Sequence, residues 1–400
     1  MYLCRLKLIG MTGQKTPTAL GTEKIGKLLM QYAIPAIIAM TASSLYNMVD
    51  SIFIGHGVGA MAISGLALTF PLMNLAAAFG SLVGVGAATL ISVKLGQKDY
   101  DTAQRVLGNV FVLNLIIGIS FTVIVLPFLD PILYFFGGSD ETVKYAREFM
   151  QVILLGNVVT HLYLGLNAVL RASGHPQKAM MATITTVIIN VLLAPLFIFV
   201  FGLGVRGAAI ATVISQCLSA SFVLFFLTKK AELKVRFLKK HEFSESIGYA
   251  KNIISLGTAG FIMQLTNSLV SIVCNNVLSV TGGDIYISVM TIISSVRQLV
   301  ETPIYAMNEG GSPILSYNYG AKRPAKVRKA MIVIGSMILC YTAVMWSVII
   351  LAPGALIRVF SSDAALVKDS IPALNQYFAA FIFMDLQYIG QTVFKSLNKK

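Results

Sequence analysis

One carboxylate interrupts an apolar stretch that is long enough to cross a membrane. Residues 33–56 read as a single apolar helix, and Asp50 is its only carboxylate. A charged Asp near the centre of a membrane helix costs about 2.5–3.5 kcal/mol on insertion scales, so such a residue indicates function by default. Tyr46 lies one turn earlier, on the same helix face. Asp50 is therefore a candidate functional residue; the alternative is a structural hydrogen-bond hub facing the bundle interior.

The composition places this helix in a polytopic membrane protein. Of the 400 residues, 56% are hydrophobic and 12% are charged, about half the charged share of a soluble domain. Disorder and an ordinary cytosolic enzyme are therefore excluded. A membrane span needs about 20 mostly apolar residues. The sequence predicts ten spans, centred near residues 42, 72, 116, 159, 190, 217, 265, 297, 342 and 382.

The distribution of the basic residues predicts the orientation. With the N-terminus in the cytoplasm, 25 of the 31 Lys and Arg residues fall on inner segments and five on outer segments. This is the positive-inside bias. It predicts a multi-pass protein of the inner (plasma) membrane, with the lipid bilayer as its environment. We expect no nucleic-acid partner, because no basic face with interleaved aromatic residues occurs, and we expect a monomer.

The two halves of the chain resemble each other under one constant shift along the sequence. The shift that carries Gly86 onto Gly310 also carries Ser92 onto Ser316, Gly96 onto Gly320, Lys98 onto Lys322, and 167–171 onto 391–395. One shift that serves separated segments indicates an internal repeat. Parallel repeats related by an axis along the membrane normal are typical of transporters with a cavity between the halves.

The repeat also predicts the domain organisation. The predicted segments are a cytoplasmic N-terminal segment (1–27), an N-lobe with spans 1–6 (28–228), a basic cytoplasmic linker (229–251) and a C-lobe with spans 7–10 (252–400). Lys400 aligns with Pro176, so we expect the C-lobe to lack two of the twelve spans of a mature protein. A truncated, non-functional transporter is therefore one alternative. Met11 is an alternative start to Met1.

Four short motifs carry a resemblance that covers about residues 22–400. They are Leu-Tyr-Asn-Met-Val-Asp-Ser-Ile-Phe-Ile-Gly (45–55), Leu-Arg-Ala-Ser-Gly (170–174), Gly-Val-Arg-Gly-Ala-Ala-Ile-Ala-Thr (204–212) and Tyr-Asn-Tyr-Gly-Ala-Lys (317–322). Through them the chain resembles the multidrug and toxic compound extrusion (MATE) family. The resemblance implies an all-α polytopic fold, a V-shaped pair of six-helix bundles around a central cavity. It also implies a cation-coupled antiporter that exports amphipathic, cationic compounds by alternating access.

The resemblance further implies a cation-coupling site inside the N-lobe. Its residues are Asp50, Tyr46, Asn167, Asn190 and Thr212, with Na⁺ possible at Asp50, Asn190 and Thr212, and Pro35 matches a residue associated with helix bending. Many bacterial relatives carry a second Asp where this chain has Ala194. The choice between Na⁺ and H⁺ therefore stays open, and beyond the coupling ion no cofactor is expected.

Four further polar residues are candidates for the substrate cavity: Asp385, Glu301, His161 and Arg297. Arg297 and Glu301 are spaced i, i+4, so they either neutralise each other or leave Glu301 to attract cationic drugs. Asp385 binds substrate or cation, or is a packed acid. His161 is a satisfied polar residue or a proton relay. Glu309, nearer the cytoplasmic end, is expected to be solvated.

Two other classes of function were weighed. A flippase for lipid-linked saccharides on a related scaffold would need a cavity rich in Arg and Lys to meet a pyrophosphate. An intramembrane enzyme would need a catalytic motif, and neither His-Glu-x-x-His nor Gly-x-Ser-x-Gly occurs. The prediction is therefore a transporter and not an enzyme.

Overall fold

The computed structural model describes residues 19–235, 243–358 and 364–397. This part of the chain is helical and contains no β-strand, which confirms the predicted all-α class. A helix satisfies its backbone N–H and C=O groups within its own segment, which is what a lipid environment demands of a spanning segment. The predicted segment 1–27 and linker 229–251 lie partly outside the described residues.

Fourteen α-helices follow one another along the described chain. They are α1 (Ala19–Thr22), α2 (Ile25–Gly57), α3 (Ala60–Gly96), α4 (Tyr100–Val125), α5 (Leu129–Phe135), α6 (Asp140–Leu155), α7 (Asn157–Ala172), α8 (Pro176–Pro195), α9 (Gly204–Phe225), α10 (Phe243–Gly320), α11 (Pro324–Leu351), α12 (Pro353–Arg358), α13 (Ala364–Phe378) and α14 (Phe381–Ser396). Short π-helical turns extend α8 through Leu196–Val200 and α9 through Phe226–Lys230.

Seven of the described helices are long and apolar enough to cross a membrane. An eighth span results when α6 and α7, which bend by 58° where they meet, are counted together. The first six predicted spans correspond in order to α2, α3, α4 with α5, α6 with α7, α8, and α9. Spans nine and ten correspond to α11 and to α13 with α14. The chain is therefore a multi-pass membrane protein.

The break that we expected between spans seven and eight is absent, because α10 is helical from Phe243 to Gly320. Contacts with α3 show that α10 nevertheless doubles back. A Cβ atom on Gly257 would overlap the carbonyl oxygen of Leu82, and one on Gly320 would overlap that of Val93. Leu82 and Val93 are about 17 Å apart along α3, whereas a straight helix from Gly257 to Gly320 would measure about 95 Å. α10 therefore runs out and returns.

The sequence repeat reappears as a repeated hydrogen bond. Ser92 Oγ donates to the carbonyl oxygen of Ala172 at 3.4 Å, which ties α3 to α7. At the equivalent positions of the second half, Ser316 Oγ donates to the carbonyl oxygen of Ser396 at 2.9 Å, which ties α10 to α14. The two halves therefore share one packing plan.

Contacts between the halves are repeated in the same way. A Cβ atom on Gly86 would lie 2.9 Å from the backbone nitrogen of Gly257. A Cβ atom on Gly310 would lie 2.9 Å from the backbone nitrogen of Ala33. Gly86 is the repeat equivalent of Gly310, and Ala33 is that of Gly257. α3 therefore packs on the first part of α10, near Gly257, and the last part of α10, near Gly310, packs in the same way on α2. The two halves are related by a pseudo-twofold axis.

One end of the bundle, which we call the basic end, contains the α3–α4 turn (97–99) and the α10–α11 turn (321–323). Each turn places a lysine in the left-handed backbone region, Lys98 with φ 64° and Lys322 with φ 54°. Polar contacts join the two halves here. Arg105 on α4 pairs with Glu245 on α10, and Arg323 donates to the carbonyl oxygen of Gly21 at 2.6 Å.

The buried core explains why the halves separate away from the basic end. The larger apolar cluster draws residues from both halves, from Leu20 to Tyr388. The smaller cluster contains residues from Ile54 to Ala211, all in the N-lobe. The lobes are therefore joined through the basic end and diverge toward the opposite end, which agrees with the predicted V shape.

Candidate coupling and substrate sites

Asp50 points into the N-lobe and not toward lipid, since the residue is 7% exposed. It lies in α2, and Tyr46 lies one turn earlier on the same helix face. The phenol of Tyr46 and the carboxylate of Asp50 are close enough to share a hydrogen bond. The i, i+4 pair predicted from the sequence is therefore formed, with Asp50 buried and Tyr46 half-buried.

Thr212 on α9 connects this pair to α8. Its Oγ1 lies 3.1 Å from the Tyr46 hydroxyl and accepts a hydrogen bond from Asn190 Nδ2 at 3.0 Å. The Thr212 hydroxyl also lies 3.1 Å from the carbonyl oxygen of Ala208, to which it donates. Thr212 then has no proton left, so the Tyr46 hydroxyl is the donor in its contact with Thr212. We refer to Asp50, Tyr46, Thr212 and Asn190 as the N-lobe cluster.

Two oxygen atoms of the N-lobe cluster are buried without a hydrogen-bond partner among the residues that the structure describes. They are Asp50 Oδ1 and Asn190 Oδ1. A buried acceptor that lacks a donor costs about 1–3 kcal/mol, and a native structure retains such atoms where an ion or a proton satisfies them. Carboxylate, amide and hydroxyl oxygens are the ligands that hard cations use. The residues therefore fit a hard cation or a proton.

Ala194 determines how much charge this region carries. It lies one turn after Asn190 on α8, is 0% exposed, and belongs to the same apolar cluster as Ile54. Ile54 in turn lies one turn after Asp50 on α2. A carboxylate at position 194 would thus stand beside the N-lobe cluster, and with alanine there Asp50 is the cluster's one acid.

Asn167 lies outside the N-lobe cluster. Its amide oxygen accepts from Arg171 Nη1 at 3.0 Å, and its Nδ2 donates to the carbonyl oxygen of Ala179 at 3.1 Å. Its side chain is therefore already engaged, one turn closer to the basic end than Tyr163. The structure brings four of the five predicted residues together and holds Asn167 in a neighbouring set of hydrogen bonds.

Pro35 lies inside α2, which continues as one helix from Ile25 to Gly57. A proline within a helix removes one backbone hydrogen bond and lowers the resistance of that turn to bending. Its assignment as a helix-bending residue stays a prediction.

Arg297 and Glu301 form an ion pair on α10. Arg297 Nε donates to Glu301 Oε1 at 2.8 Å, and Arg297 Nη1 donates to the Tyr377 hydroxyl at 3.0 Å. Glu301 is 5% exposed. Of the two predicted alternatives, the structure therefore shows Arg297 and Glu301 neutralising each other. The Tyr377 hydroxyl of α13 also orients the guanidinium.

Asp385 is a second buried acid, on α14. It is 1% exposed, and its carboxylate lies near the Thr342 hydroxyl of α11 without forming a well-aligned hydrogen bond to it or to another described residue. Tyr388 lies one turn later and meets Tyr305 of α10, with hydroxyl oxygens 3.0 Å apart. Asp385 is therefore held between helices of the C-lobe and does not point at lipid.

His161 lies in the N-lobe, apart from the C-lobe candidates. It is 0% exposed on α7, with its ring centroid 6.4 Å from that of Phe121. Gly80 of α3 packs directly against it, since a Cβ there would lie 3.7 Å from His161 Cγ. A side chain with no exposed surface does not line an open cavity. Neither ring nitrogen of His161 has a well-aligned hydrogen-bond partner among the described residues, so the residue is packed but not satisfied, and its role as a proton relay stays a prediction.

The position of Glu309 was not predicted from the sequence. We expected a solvated acid, and instead Glu309 forms ion pairs with Arg171 and Lys395. The repeat already aligned Arg171 with Lys395, which was the available signal. It did not indicate that one acid lies between them, because the equivalent of Glu309 is the apolar Val85.

Comparison with known families and proteins gives a consistent result. The MatE family model matches residues 35–196 and 260–400. The multidrug export protein MepA of Staphylococcus haemolyticus (strain JCSC1435) is 30% identical over 345 residues, covering 86% of this chain and 75% of that protein. MepA of Staphylococcus aureus (strain NCTC 8325 / PS 47) is 27% identical over 365 residues, covering 91% of this chain and 80% of that protein.

Solved structures give the same picture at the level of the fold. An outward-facing conformation of a multidrug resistance MATE family transporter of the MOP superfamily aligns with a TM-score of 0.88 and 25% identity, covering 97% of this chain and 86% of that one. A MATE structure in the bent conformation aligns with a TM-score of 0.89 and 25% identity, covering 97% of this chain and 85% of that one.

Proposed function

This chain belongs to the MATE family of multidrug efflux transporters, and from that premise we propose that it is a cation-coupled antiporter of the inner membrane. It exports amphipathic, cationic compounds by alternating access, and either Na⁺ or H⁺ supplies the energy. The observation that carries the proposal is the N-lobe cluster, in which the buried carboxylate of Asp50 keeps one oxygen without a partner.

The coupling requires that the ion and the drug stabilise different states of the transporter. A gradient performs work on a second solute only through such differential affinity. A cation at Asp50 and Asn190 would draw α2, α8 and α9 together and narrow the N-lobe side of the cavity. Drug then leaves outward, and the cation leaves after the lobes reorient. A membrane potential of 100 mV adds about 2.3 kcal/mol for each charge moved.

The distribution of charge supports an orientation for the cycle. Lysine and arginine concentrate on cytoplasmic segments, so the basic end is assigned to the cytoplasm. Arg105 with Glu245 and Arg323 with Gly21 close the lobes together at that end. Under this assignment the structure corresponds to the outward-open state, in which the coupling ion enters from outside.

The ligand set supports a hard cation or a proton. The N-lobe cluster offers carboxylate, amide, phenol and hydroxyl oxygens, which can coordinate Na⁺ by analogy with other hard ions. Asp50 is the member of the cluster that can bind an additional proton. Within residues 19–235, 243–358 and 364–397, no three His, Cys, Asp or Glu side chains come together in a metal-binding group. A transition metal is therefore not part of the proposal.

The cargo is proposed from the charges of the C-lobe. Arg297 is neutralised by Glu301, so the charge that remains among the C-lobe candidates is the negative charge of Asp385. At 1% exposed, Asp385 would act on a cargo through the local field and not by direct contact. This balance favours a cationic cargo. A flippase for lipid-linked saccharides would need free cations for the pyrophosphate, and the paired Arg297 does not provide one.

Transport in proteoliposomes tests the function directly. The purified protein is reconstituted, and uptake of ethidium, a lipophilic cation, is measured with an imposed Na⁺ gradient or an imposed pH gradient in separate experiments. We expect one of the two gradients to drive ethidium against its concentration gradient. Failure of both gradients, with the protein inserted and monodisperse, would contradict the antiporter assignment.

The flippase alternative predicts a different result. A flippase would move a fluorescent lipid-linked saccharide across the same liposomes and leave ethidium at equilibrium. Running both cargoes on one preparation therefore separates the two functions.

A further inference from the structure

Glu309 forms ion pairs with one residue of each lobe. Its Oε1 accepts from Lys395 Nζ at 3.1 Å, and its Oε2 lies 3.6 Å from Arg171 Nη2. Glu309 on α10 and Lys395 on α14 belong to the C-lobe, whereas Arg171 is at the C-terminal end of α7 in the N-lobe. The Lys395 pair survives when the lobes separate, and the Arg171 pair does not.

The pairs lie on the pseudo-twofold axis. Arg171 and Lys395 are repeat equivalents, and the equivalent of Glu309 is Val85. Val85 lines the same small cavity as the three charged residues. One carboxylate, that of Glu309, therefore pairs with two symmetry-related basic side chains that face each other across the lobe boundary. The symmetry-related position, where a second carboxylate could pair with them, is occupied by Val85.

The surroundings leave these charges little water. The cavity beside them measures about 10 Å³, which is room for about one water molecule. The exposed fractions of the side chains are 22% for Arg171, 27% for Glu309 and 18% for Lys395. Two cations in such a space repel each other strongly unless an anion lies between them. Glu309 is that anion.

Asn167 orients Arg171 toward Glu309. Its amide oxygen accepts from Nη1 of the guanidinium at 3.0 Å, while Nη2 faces Glu309. A planar guanidinium held at one nitrogen has its other donors fixed in direction. Arg171 is therefore pre-positioned by its own lobe to meet the acid of the other lobe.

We propose that Arg171, Glu309 and Lys395 form a latch that holds the two lobes together at the basic end and must open in each transport cycle. The inference rests on the proposed function, since it assigns the latch to the alternation between the outward-open and inward-open states. Lys395 keeps Glu309 in place within the C-lobe, and Arg171 closes the contact from the N-lobe. Opening breaks the Arg171–Glu309 pair and exposes both groups to water at the basic end.

The three side chains have different expected effects. Arg171→Gln removes the pair between the lobes and favours opening. Lys395→Gln removes a pair within one lobe and leaves Glu309 less firmly placed, but it keeps the acid that meets Arg171, so its effect is smaller than that of Arg171→Gln. Glu309→Gln has the largest effect, because Arg171 and Lys395 then face each other with no anion between them.

The repeat supplies a rescue variant. Val85→Glu, made in the Glu309→Gln background, moves the carboxylate to the symmetry-related position. There it would pair with Arg171 within the N-lobe and with Lys395 across the boundary. The latch is thereby rebuilt with its acid on the N-lobe in place of the C-lobe. In the double variant the two lobes should therefore come together again at the basic end.

The distance between the lobes at the basic end is the measurement. Nitroxide labels are placed at Gln177 on α8 and Ala325 on α11, which are both exposed, in a full-length chain whose four cysteines are replaced by alanine. Distances between the two nitroxides are measured by double electron–electron resonance in lipid nanodiscs, without any gradient or drug. Lys27→Gln serves as the control, because it removes an exposed lysine from a pair at the start of α2.

We expect Glu309→Gln to raise the ratio of the long-distance to the short-distance population by about fivefold, the size expected for the loss of a partly exposed ion pair. Arg171→Gln should raise it less and Lys395→Gln less again, Lys27→Gln should leave it near the parent value, and Val85→Glu with Glu309→Gln should restore it. Parent-like distances in both Glu309→Gln and Arg171→Gln, with monodisperse protein, would overturn the latch. So would equal opening in Lys395→Gln and Arg171→Gln.

The readout is independent of cargo. If neither gradient drives ethidium but the distances respond as expected, the latch stands and the proposed function fails. If ethidium is exported and the distances do not respond, the proposed function stands and the latch fails.

Discussion

Gly96 and Gly320 face each other where the two lobes meet at the basic end. A Cβ atom on Gly96 would overlap the carbonyl oxygen of Tyr317, and one on Gly320 would overlap that of Val93. The four residues form two repeat pairs, so the contact is nearly symmetric. Small residues let helix backbones approach closely in lipid, where packing is a main source of association.

Gly96→Ala should therefore destabilise the closed basic end. The added methyl group meets a backbone oxygen that cannot move alone, and overpacking of this kind costs about 1–3 kcal/mol. We expect a lower thermal unfolding temperature in detergent and reduced ethidium export. Gly26→Ala is the matched control, because no atom lies within 4 Å of its Cβ position, and it should be neutral or slightly stabilising. Equal unfolding temperatures for the two variants would contradict the packing argument.

Asp50→Asn should abolish gradient-driven export. The amide has nearly the shape of the carboxylate but carries neither the charge that binds a cation nor the proton-accepting site. We expect ethidium accumulation in cells to rise to the level of an empty vector, while the amount of protein in the membrane stays unchanged. Cell accumulation and membrane immunoblots measure the two quantities.

Asp369→Asn is the control for this variant. Asp369 is an exposed acid on α13, so its neutralisation removes the same charge outside the N-lobe cluster and should leave export near the parent level. Normal export by Asp50→Asn at normal expression would rule out Asp50 as the coupling residue.

Thr212→Val should raise the cation concentration needed for half-maximal transport. Valine has the shape of threonine without the hydroxyl, so Asn190 Nδ2 and Tyr46 lose their shared partner. An unsatisfied buried group costs about 1–3 kcal/mol, and we expect an increase of about tenfold or more in the half-saturating concentration of the coupling ion. Thr258→Val is the control, since that hydroxyl bonds the carbonyl oxygen of Ile254 within its own helix. An unchanged ion dependence would place Thr212 outside the coupling site.

The thermal stability of the protein should fall more when one partner of the Arg297–Glu301 pair is removed than when both are removed. Glu301→Leu leaves the guanidinium facing the low-dielectric interior with only the Tyr377 hydroxyl as a described acceptor, at a cost of about 3 kcal/mol at most for a partly exposed pair. Arg297→Met combined with Glu301→Leu removes both charges and should unfold near the parent temperature. Thermal unfolding of the two variants provides the comparison. A double variant less stable than the single one would show that the pair contributes net stability.

Much of the fold was predictable because each helix reflects local sequence. Apolar stretches of about 20 residues, broken by charge, predict spans whatever the tertiary structure, and the observed helices follow them closely. The repeat of Gly86, Ser92 and Gly96 was visible for the same reason, since equivalent contacts need equivalent small or polar residues. The close placement of Tyr46 and Asp50 followed from helix geometry alone.

The differences between expectation and structure involve relations between helices. α10 is helical from Phe243 to Gly320 although Gly282 and Gly283 lie inside it, and its return to α3 near Gly320 agrees with the two spans predicted there. Asn167 was grouped with Asp50, and its amide oxygen accepts a hydrogen bond from Arg171; its assignment to the coupling site stays a prediction. Glu309 was assigned to solvent from its place near a helix end, without knowledge of what lies across the lobe boundary.

The sequence by itself determined the membrane class, the spans, the repeat and the acid at Asp50, because hydrophobicity, charge and i, i+4 spacing act within one segment. Only the tertiary structure decided which oxygens remain without a donor and which charges pair between the lobes. Those outcomes depend on distances between Asp50, Asn190 and Thr212, and between Arg171 and Glu309, that no local pattern encodes. Hydrogen bonds and ion pairs act over about 3–4 Å, so their partners are chosen only once the helices have packed.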